Sequence, residues 1–293
     1  MNPYMPVTGR PFRAQVGTRP LDPDEWIEVD DRRAMEIVEK YRLIDERPDD
    51  VLIVLPQGEP GAREAAELLR TFLPRRFPTV YETVPGGIRD RQVNRFVDLD
   101  GPGAFGGAGL LVQEDLCLMT RSDAGAWVLT AGSVCSPSHW FLREKMGLDM
   151  PGIHAPVPYY GERLNGPTNA VMDRLAADRP VWRLNWTIVG IPDNFLIAER
   201  DHWPLVDSGV ELGQALFFRV ERQTLRRLPR TGDILFTIRT YTCPLSELAV
   251  GRPTAFRDLL STIEELPPEF IAYRAWDPIL ERLRAWLRAR VSV

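Results

Sequence analysis

Between 115 and 242 the chain alternates between apolar and polar positions. In 181–190, VWRLNWTIVG, Trp182, Leu184, Trp186 and Ile188 fall on one side, and Arg183, Asn185 and Thr187 on the other. That is the period of a strand. Residues 115–121 and 127–134 flank Ser122, Asp123, Ala124 and Gly125 and predict a hairpin. Residues 214–221 and 233–241 predict a further strand pair, joined by the basic turn at 228–232. Elsewhere the period is helical. Asp30 or Asp31 can cap a helix over 32–43, with Met35, Val38 and Arg42 along one side. A second helix is predicted over 61–73, with Ala65, Leu68, Leu69 and Phe72 at helical spacing and Pro74 as its stop. Ser136 as N-cap with Pro137 at the first helical position predicts a helix to about Met146, ended by Gly147. Further helices are expected over 169–177, 254–265 and 277–289, the last with Ile279, Leu280, Leu283, Trp286 and Leu287 as its apolar stripe. The run from Val51 to Leu55 fits a strand or a buried helical turn. Residues 1–29, rich in Pro, Arg and Asp, read as extended chain lying over the domain.

The order from 115 to 242 is two strands, short helices, then three strands. This is the order of a PAS domain, an antiparallel five-stranded sheet whose helices wall a cavity on one face. The expected class is therefore α+β, with a PAS-like core at 115–242, an N-terminal extension at 1–114 and a C-terminal helical extension at 243–293. Composition is that of a globular protein, 44% hydrophobic and 26% charged over 293 residues. A net charge of −5 argues against nucleic acid as the main partner. The three cysteines, Cys117, Cys135 and Cys243, are too widely spaced for a zinc or iron–sulfur site and fit a reducing compartment. No N-terminal apolar segment and no long apolar run is present, so a soluble cytoplasmic protein is expected.

Few stretches carry chemistry on their own. Residues 100–109, DGPGAFGGAG, lack the lysine and the preceding strand of a phosphate cradle and read as a flexible loop. Residues 153–158, IHAPVP, hold His154 ahead of Pro156 and Pro158. The prolines stiffen the chain, and His154 is either a histidine in a Pro-rich turn or an imidazole presented to a ligand. His139, expected in the first turn of a helix, is the competing ligand, and His202, in a charged loop with Glu199 and Arg200, is expected in solvent. Cys135 reads as a small buried thiol.

Several separated stretches resemble, in order, the haem-dependent oxidative N-demethylase α-subunit family: 133–140, SVCSPSHW; 145–147, KMG; 153–158; 183–186, RLNW; 220–229, VERQTLRRLP; and 234–241, ILFTIRTY. The resemblance implies a PAS-fold protein with haem b and His154 as the proximal iron ligand. Haem propionates need cations, and Arg219, Arg222, Arg226, Arg227 and Arg230 lie near the last strands; Arg222 and Arg226 are the candidates, and Arg230 fits a solvated turn better. Arg183 and Asn185 could donate to bound oxygen, and Glu221 could hold an ammonium or relay a proton; the same pattern also describes a strand with its polar face in water. The implied activity is oxidation by O2 of a small secondary methylamine such as dimethylamine, releasing formaldehyde. The sequence has no flavin, nucleotide or iron–sulfur signature, so electrons are expected from partner reductase subunits that carry flavin and iron–sulfur centres. The alternatives are a non-enzymatic haem or gas-sensing PAS protein, and a PAS-like interaction protein without haem.

Overall fold

The computed structural model describes residues 3–9, 15–197 and 201–291. Its centre is an antiparallel sheet, with a smaller one beside it. The strands are β1 (Arg19–Pro20), β2 (Leu52–Val54), β3 (Tyr81–Val84), β4 (Gly87–Asp90), β5 (Arg95–Asp98), β6 (Asp115–Arg121), β7 (Trp127–Ser133), β8 (Val181–Val189), β9 (Phe217–Arg227) and β10 (Ile234–Pro244). The large sheet has seven strands in the order β1-β8-β9-β10-β6-β7-β2, and β3-β4-β5 form the small one. The chain is thus α+β, as expected, but the main sheet has seven strands rather than five. The two additional strands come from the N-terminal third and pair with β8 and β7, which would otherwise present unpaired edges.

Alternation along the strands and their register define two faces. Asn185 lies opposite Glu221, Arg183 opposite Gln223, and Thr187 opposite Arg219. These residues share one face, together with Leu225, Ile234, Cys117 and Met119. The chain between β7 and β8 covers it, through Leu142, Met150, Tyr160, Met172 and Leu175. The opposite face carries Leu116, Leu118, Ala131 and Leu235 and is packed by the helices Glu59–Arg76 and Ala104–Leu111. Toward the other end, Phe218, Val220 and Cys243 meet the helices Ala255–Glu264 and Leu280–Val291.

Several predicted elements differ in detail. The helix Arg33–Glu46 forms where expected, but Met35 and Val38 face solvent. Its inner side carries Ile37 and Leu43 with Arg33, Glu36 and Lys40, all buried. The helix Glu59–Arg76 runs through Pro74 for a last turn, closed by the Phe77 amide on the Leu73 carbonyl. The glycine-rich stretch is a helix over Ala104–Leu111, not a flexible loop. Its glycines permit close approach: a Cβ on Gly109 would lie 2.1 Å from the Ser133 Oγ, and one on Gly106 would lie 2.6 Å from a Leu52 methyl. Packing has overridden the poor helix propensity of glycine here. Over the 136–146 span predicted as a helix, only Leu142–Lys145 is helical. Ser136 does not cap a helix because its amide and that of Cys135 donate to the buried Asp115 carboxylate. The 169–177 prediction is met by the helix Asn165–Arg174, entered through a π-helical turn at Tyr160–Leu164. Residues 10–14 of the expected N-terminal strap, and Glu199 and Arg200, lie outside the described residues. Among the described residues, no helix is long and apolar enough to cross a membrane.

Candidate functional site

His154 closes a short helix, Met150–Ile153, which starts where the Asp149 carboxylate accepts the Gly152 amide at 2.9 Å. The segment then turns tightly: the Val157 amide donates to the His154 carbonyl at 2.8 Å, with Pro156 and Pro158 on either side. Tyr159 follows at φ 59°, a left-handed conformation uncommon for a residue with a side chain. It hands the chain to the π-helical turn, a geometry frequent at functional sites.

This path fixes the imidazole in two ways. Its Nδ1 lies 2.9 Å from the Met150 carbonyl oxygen. A carbonyl only accepts, so Nδ1 carries the proton and a neutral ring has its lone pair on Nε2. The ring also stacks on Tyr160, with centroids 4.3 Å apart and planes within 6°. Burial holds the His154 pKa below the usual histidine range, and the nearby Arg183 and Lys145 charges lower it further. The neutral form is the one that can ligate a metal. A cavity of about 350 Å³ opens beside the ring, lined by Pro151, His154, Val157, Tyr159, Tyr160 and Glu162 among others.

Arg183 and Asn185, from β8, and Glu221, from β9, lie together on the sheet face that this segment covers. Asn185 donates to the Glu221 carboxylate at 3.2 Å, and Gln223 donates to it at 2.8 Å. The Nε of Arg219 stands 3.9 Å away. Burial pushes the Arg183 pKa down, while Glu221 and Tyr160 pull it back up. The Nε of Arg183 is buried and has no hydrogen-bond partner among the described residues. An unused buried donor of this kind calls for an explanation, and an anionic ligand group supplies one.

Arg222 and Arg226 are not part of this group. They lie on the opposite face, because side chains one residue apart on a strand alternate. Arg222 donates to the carbonyls of Trp26 and Glu25 and pairs with Glu28 at 3.5 Å. Arg226 lies over the Trp26 ring, 4.7 Å from its centroid. Both therefore hold the N-terminal segment. Arg227 donates to the carbonyls of Leu175, Met172 and Gly232. Arg219 donates to that of Ser136. Arg230 is exposed and paired with Glu67.

His139 is not in a helix; it has φ 59° and stacks on His202, with centroids 3.8 Å apart and planes within 9°. His202 is accordingly half-buried rather than solvent-exposed. Cys135 is a buried thiol whose pKa burial pushes up to about 12. Sequence reasoning missed Tyr160, Tyr159 and Gln223. The tyrosine pair directly after the prolines was the available signal for the first two, and strand parity with Glu221 for the third.

The donor set suits a haem. A neutral imidazole with Nε2 available, an unused buried guanidinium donor and an apolar wall from Leu142, Ile153, Val157 and Leu164 together match an iron ligand, a carboxylate partner and a macrocycle face. A family model described as haem-dependent oxidative N-demethylase, alpha subunit-like, matches residues 17–284. That span takes in the N-terminal helices, the whole sheet and most of the C-terminal helices. The chain belongs to the haem-dependent oxidative N-demethylase alpha-subunit-like family.

Proposed function

We propose that this chain is the haem-binding catalytic subunit of an oxidative N-demethylase, acting with O2 on a small, dimethylamine-like secondary methylamine and releasing formaldehyde. The observation that carries the reading is the His154 tautomer. Its Nδ1–H is committed to the Met150 carbonyl, which leaves Nε2 as the iron ligand. The haem would be haem b, supplying the redox-active iron at which O2 is activated for oxidation of the methyl group. Its electrons would come from a separate reductase with flavin and iron–sulfur centres, in the cytoplasm.

The chain's own residues would bind and orient. His154 holds the iron, and Tyr160 limits rotation of the imidazole by stacking on it. Arg183 offers its unused donor to an anionic group such as a propionate, or to bound oxygen. Glu221 holds the substrate ammonium, and Asn185 and Gln223 orient that carboxylate by donating to it. Strands β8-β9-β10-β6-β7 adjoin in this order, which supports a PAS-like core at 115–242 with residues 1–114 and 243–293 packed on it.

The test is to purify the protein with haem supplied and compare absorption spectra of wild type and His154→Ala. Wild type should show a Soret band that the variant loses or shifts, and should consume O2 on addition of amine and reductase. An unchanged spectrum in His154→Ala would sink the ligand assignment. Haem binding without amine-dependent O2 uptake would leave a haem protein that is not this enzyme.

A further inference from the structure

The helix Arg33–Glu46 is turned the unexpected way round. Its inward side carries Arg33, Glu36 and Lys40, each with partners, beside the apolar Ile37 and Leu43. Arg33 binds Asp90, Lys40 donates to the carbonyls of Gly109 and Glu114, and Glu36 pairs with Arg239. Its outward side presents Met35 and Val38, 60% and 59% exposed and one turn apart. Single exposed apolar residues are ordinary on protein surfaces. A helix that buries two cations while keeping a methionine and a valine in water is a different case. Burying charge is costly unless every group is paired, so the mixed inner side is held by its ion pairs as well as by Ile37 and Leu43, while Met35 and Val38 are left uncovered on a charged outer side.

The charges around the stripe say what that is. At 100° per residue, Glu39, Arg42, Asp45 and Glu46 share the outward side with Met35 and Val38, and Asp31 and Arg32 are exposed in the turn just before the helix. Arg42 is bound by both Glu39 and Glu46, and the exposed Arg32 by Glu36, so two guanidiniums stand against five carboxylates and the surface keeps an excess of acid. A second copy of this chain would bring the same excess of acid to the contact and be repelled. An anionic lipid surface would be repelled likewise. A basic protein segment is attracted.

We propose that this face docks another protein, through a segment whose apolar side chains cover Met35 and Val38 and whose lysines or arginines meet Asp31, Asp45 and the Arg42-bridged glutamates. The alpha-subunit-like character of the family gives such a partner a place. The face is built from the N-terminal helix, away from the His154 segment, so the proposal does not rest on the haem reading.

The experiment places a photoreactive benzophenone side chain at Met35 of the full chain, expressed in its own host cells. After irradiation the cross-linked peptide is sequenced by mass spectrometry. The expected product is one dominant adduct with a different polypeptide, at a segment with net positive charge. Its yield should fall at least tenfold when Asp31→Lys and Asp45→Lys are added. The same probe at exposed Arg63, on the neighbouring helix, should not give that adduct. An adduct with this same chain, one with an acidic segment, no adduct, or the same products from Arg63 would each overturn the proposal. The Asp31→Lys, Asp45→Lys protein should keep the wild-type melting temperature and absorption spectrum, which separates lost docking from lost folding.

Discussion

Two arginines with buried Nε atoms, Arg33 and the half-buried Arg183, are treated in opposite ways. Arg33 uses all its donors: Nε binds the Tyr81 hydroxyl at 3.0 Å, Nη1 binds Asp90 and Gln92, and Nη2 binds Asp90 and the Leu111 carbonyl. Its ring-like plane also lies over Tyr81, at 4.7 Å. Arg183 is held among His154, Tyr160 and Glu221 with its Nε unused. The first arginine joins the N-terminal helix to the small sheet. The second joins nothing that the fold needs. Arg33 holds structure with every donor used; Arg183 shares an unused Nε with Arg219, Arg226 and Arg239, and among these it is the one set beside His154, where a ligand could take that donor.

The sharpest way to break that contrast is Arg33→Leu. It leaves Asp90, 1% exposed, as a buried carboxylate without its cation, and should cost about 3–5 kcal/mol in urea unfolding. A loss near zero would remove the distinction. Replacing both partners, Arg33→Leu with Asp90→Leu, should recover part of that loss.

An intermediate effect is expected at Glu114, a carboxyl within the structural region whose satisfaction is incomplete. Its Oε1 accepts the Glu28 amide at 2.9 Å, while Oε2 is buried without a partner. Burial raises its pKa from 4.5 to about 6, against the pull of Arg239. The raised folded value means that the native state keeps a proton which the unfolded chain loses between pH 4.5 and about 6. Stability is therefore lost as pH rises through that window, by about 2 kcal/mol from this group, and Glu114→Gln should abolish the loss. Denaturation curves of both proteins from pH 4.5 to 7 read it directly.

The smallest effect on folding is expected at Arg183→Leu. Glu221 keeps its donors from Asn185 and Gln223, so unfolding free energy should move by less than about 1 kcal/mol in either direction. Haem titration should be weakened in the same variant. A large loss of stability with unchanged haem affinity would reclassify Arg183 beside Arg33.

Strand β8 was legible because its apolar and polar residues alternate, and β6 and β7, buried on both faces, from the turn residues between them. The orientation of the N-terminal helix was not, since Met35 and Val38 look like a core stripe until Asp90, Glu114 and Arg239 are known to lie opposite Arg33, Lys40 and Glu36. The small sheet left little trace, because its short strands bury only Tyr81, Gly87, Ile88, Asp90 and Val97. That Arg183 and Asn185 share one strand face was readable from parity, and the stiffness of the His154 segment from its prolines; the pairing of Asn185 with Glu221 was not. Parity also separates Arg222 from Glu221, and the sequence alone held that information. What lay beyond it was the left-handed turn at Tyr159, which brings Tyr160 back onto the histidine ring.

Strand β8 has a consequence for the order of synthesis. Beyond its short pairing with β1 at Val181 and Trp182, its outer edge meets residues from much later in the chain. The Trp276 indole donates to the Ile188 carbonyl across 88 residues, and the Trp203 indole donates to the Ala275 carbonyl across 72. Long-range contacts of this kind form late. On the ribosome, the strand bearing Arg183 and Asn185 emerges with an open edge and stays so until the tryptophan at 276 has left the exit tunnel. A ribosome stalled before that point would hold a sheet edge open to the wrong partner.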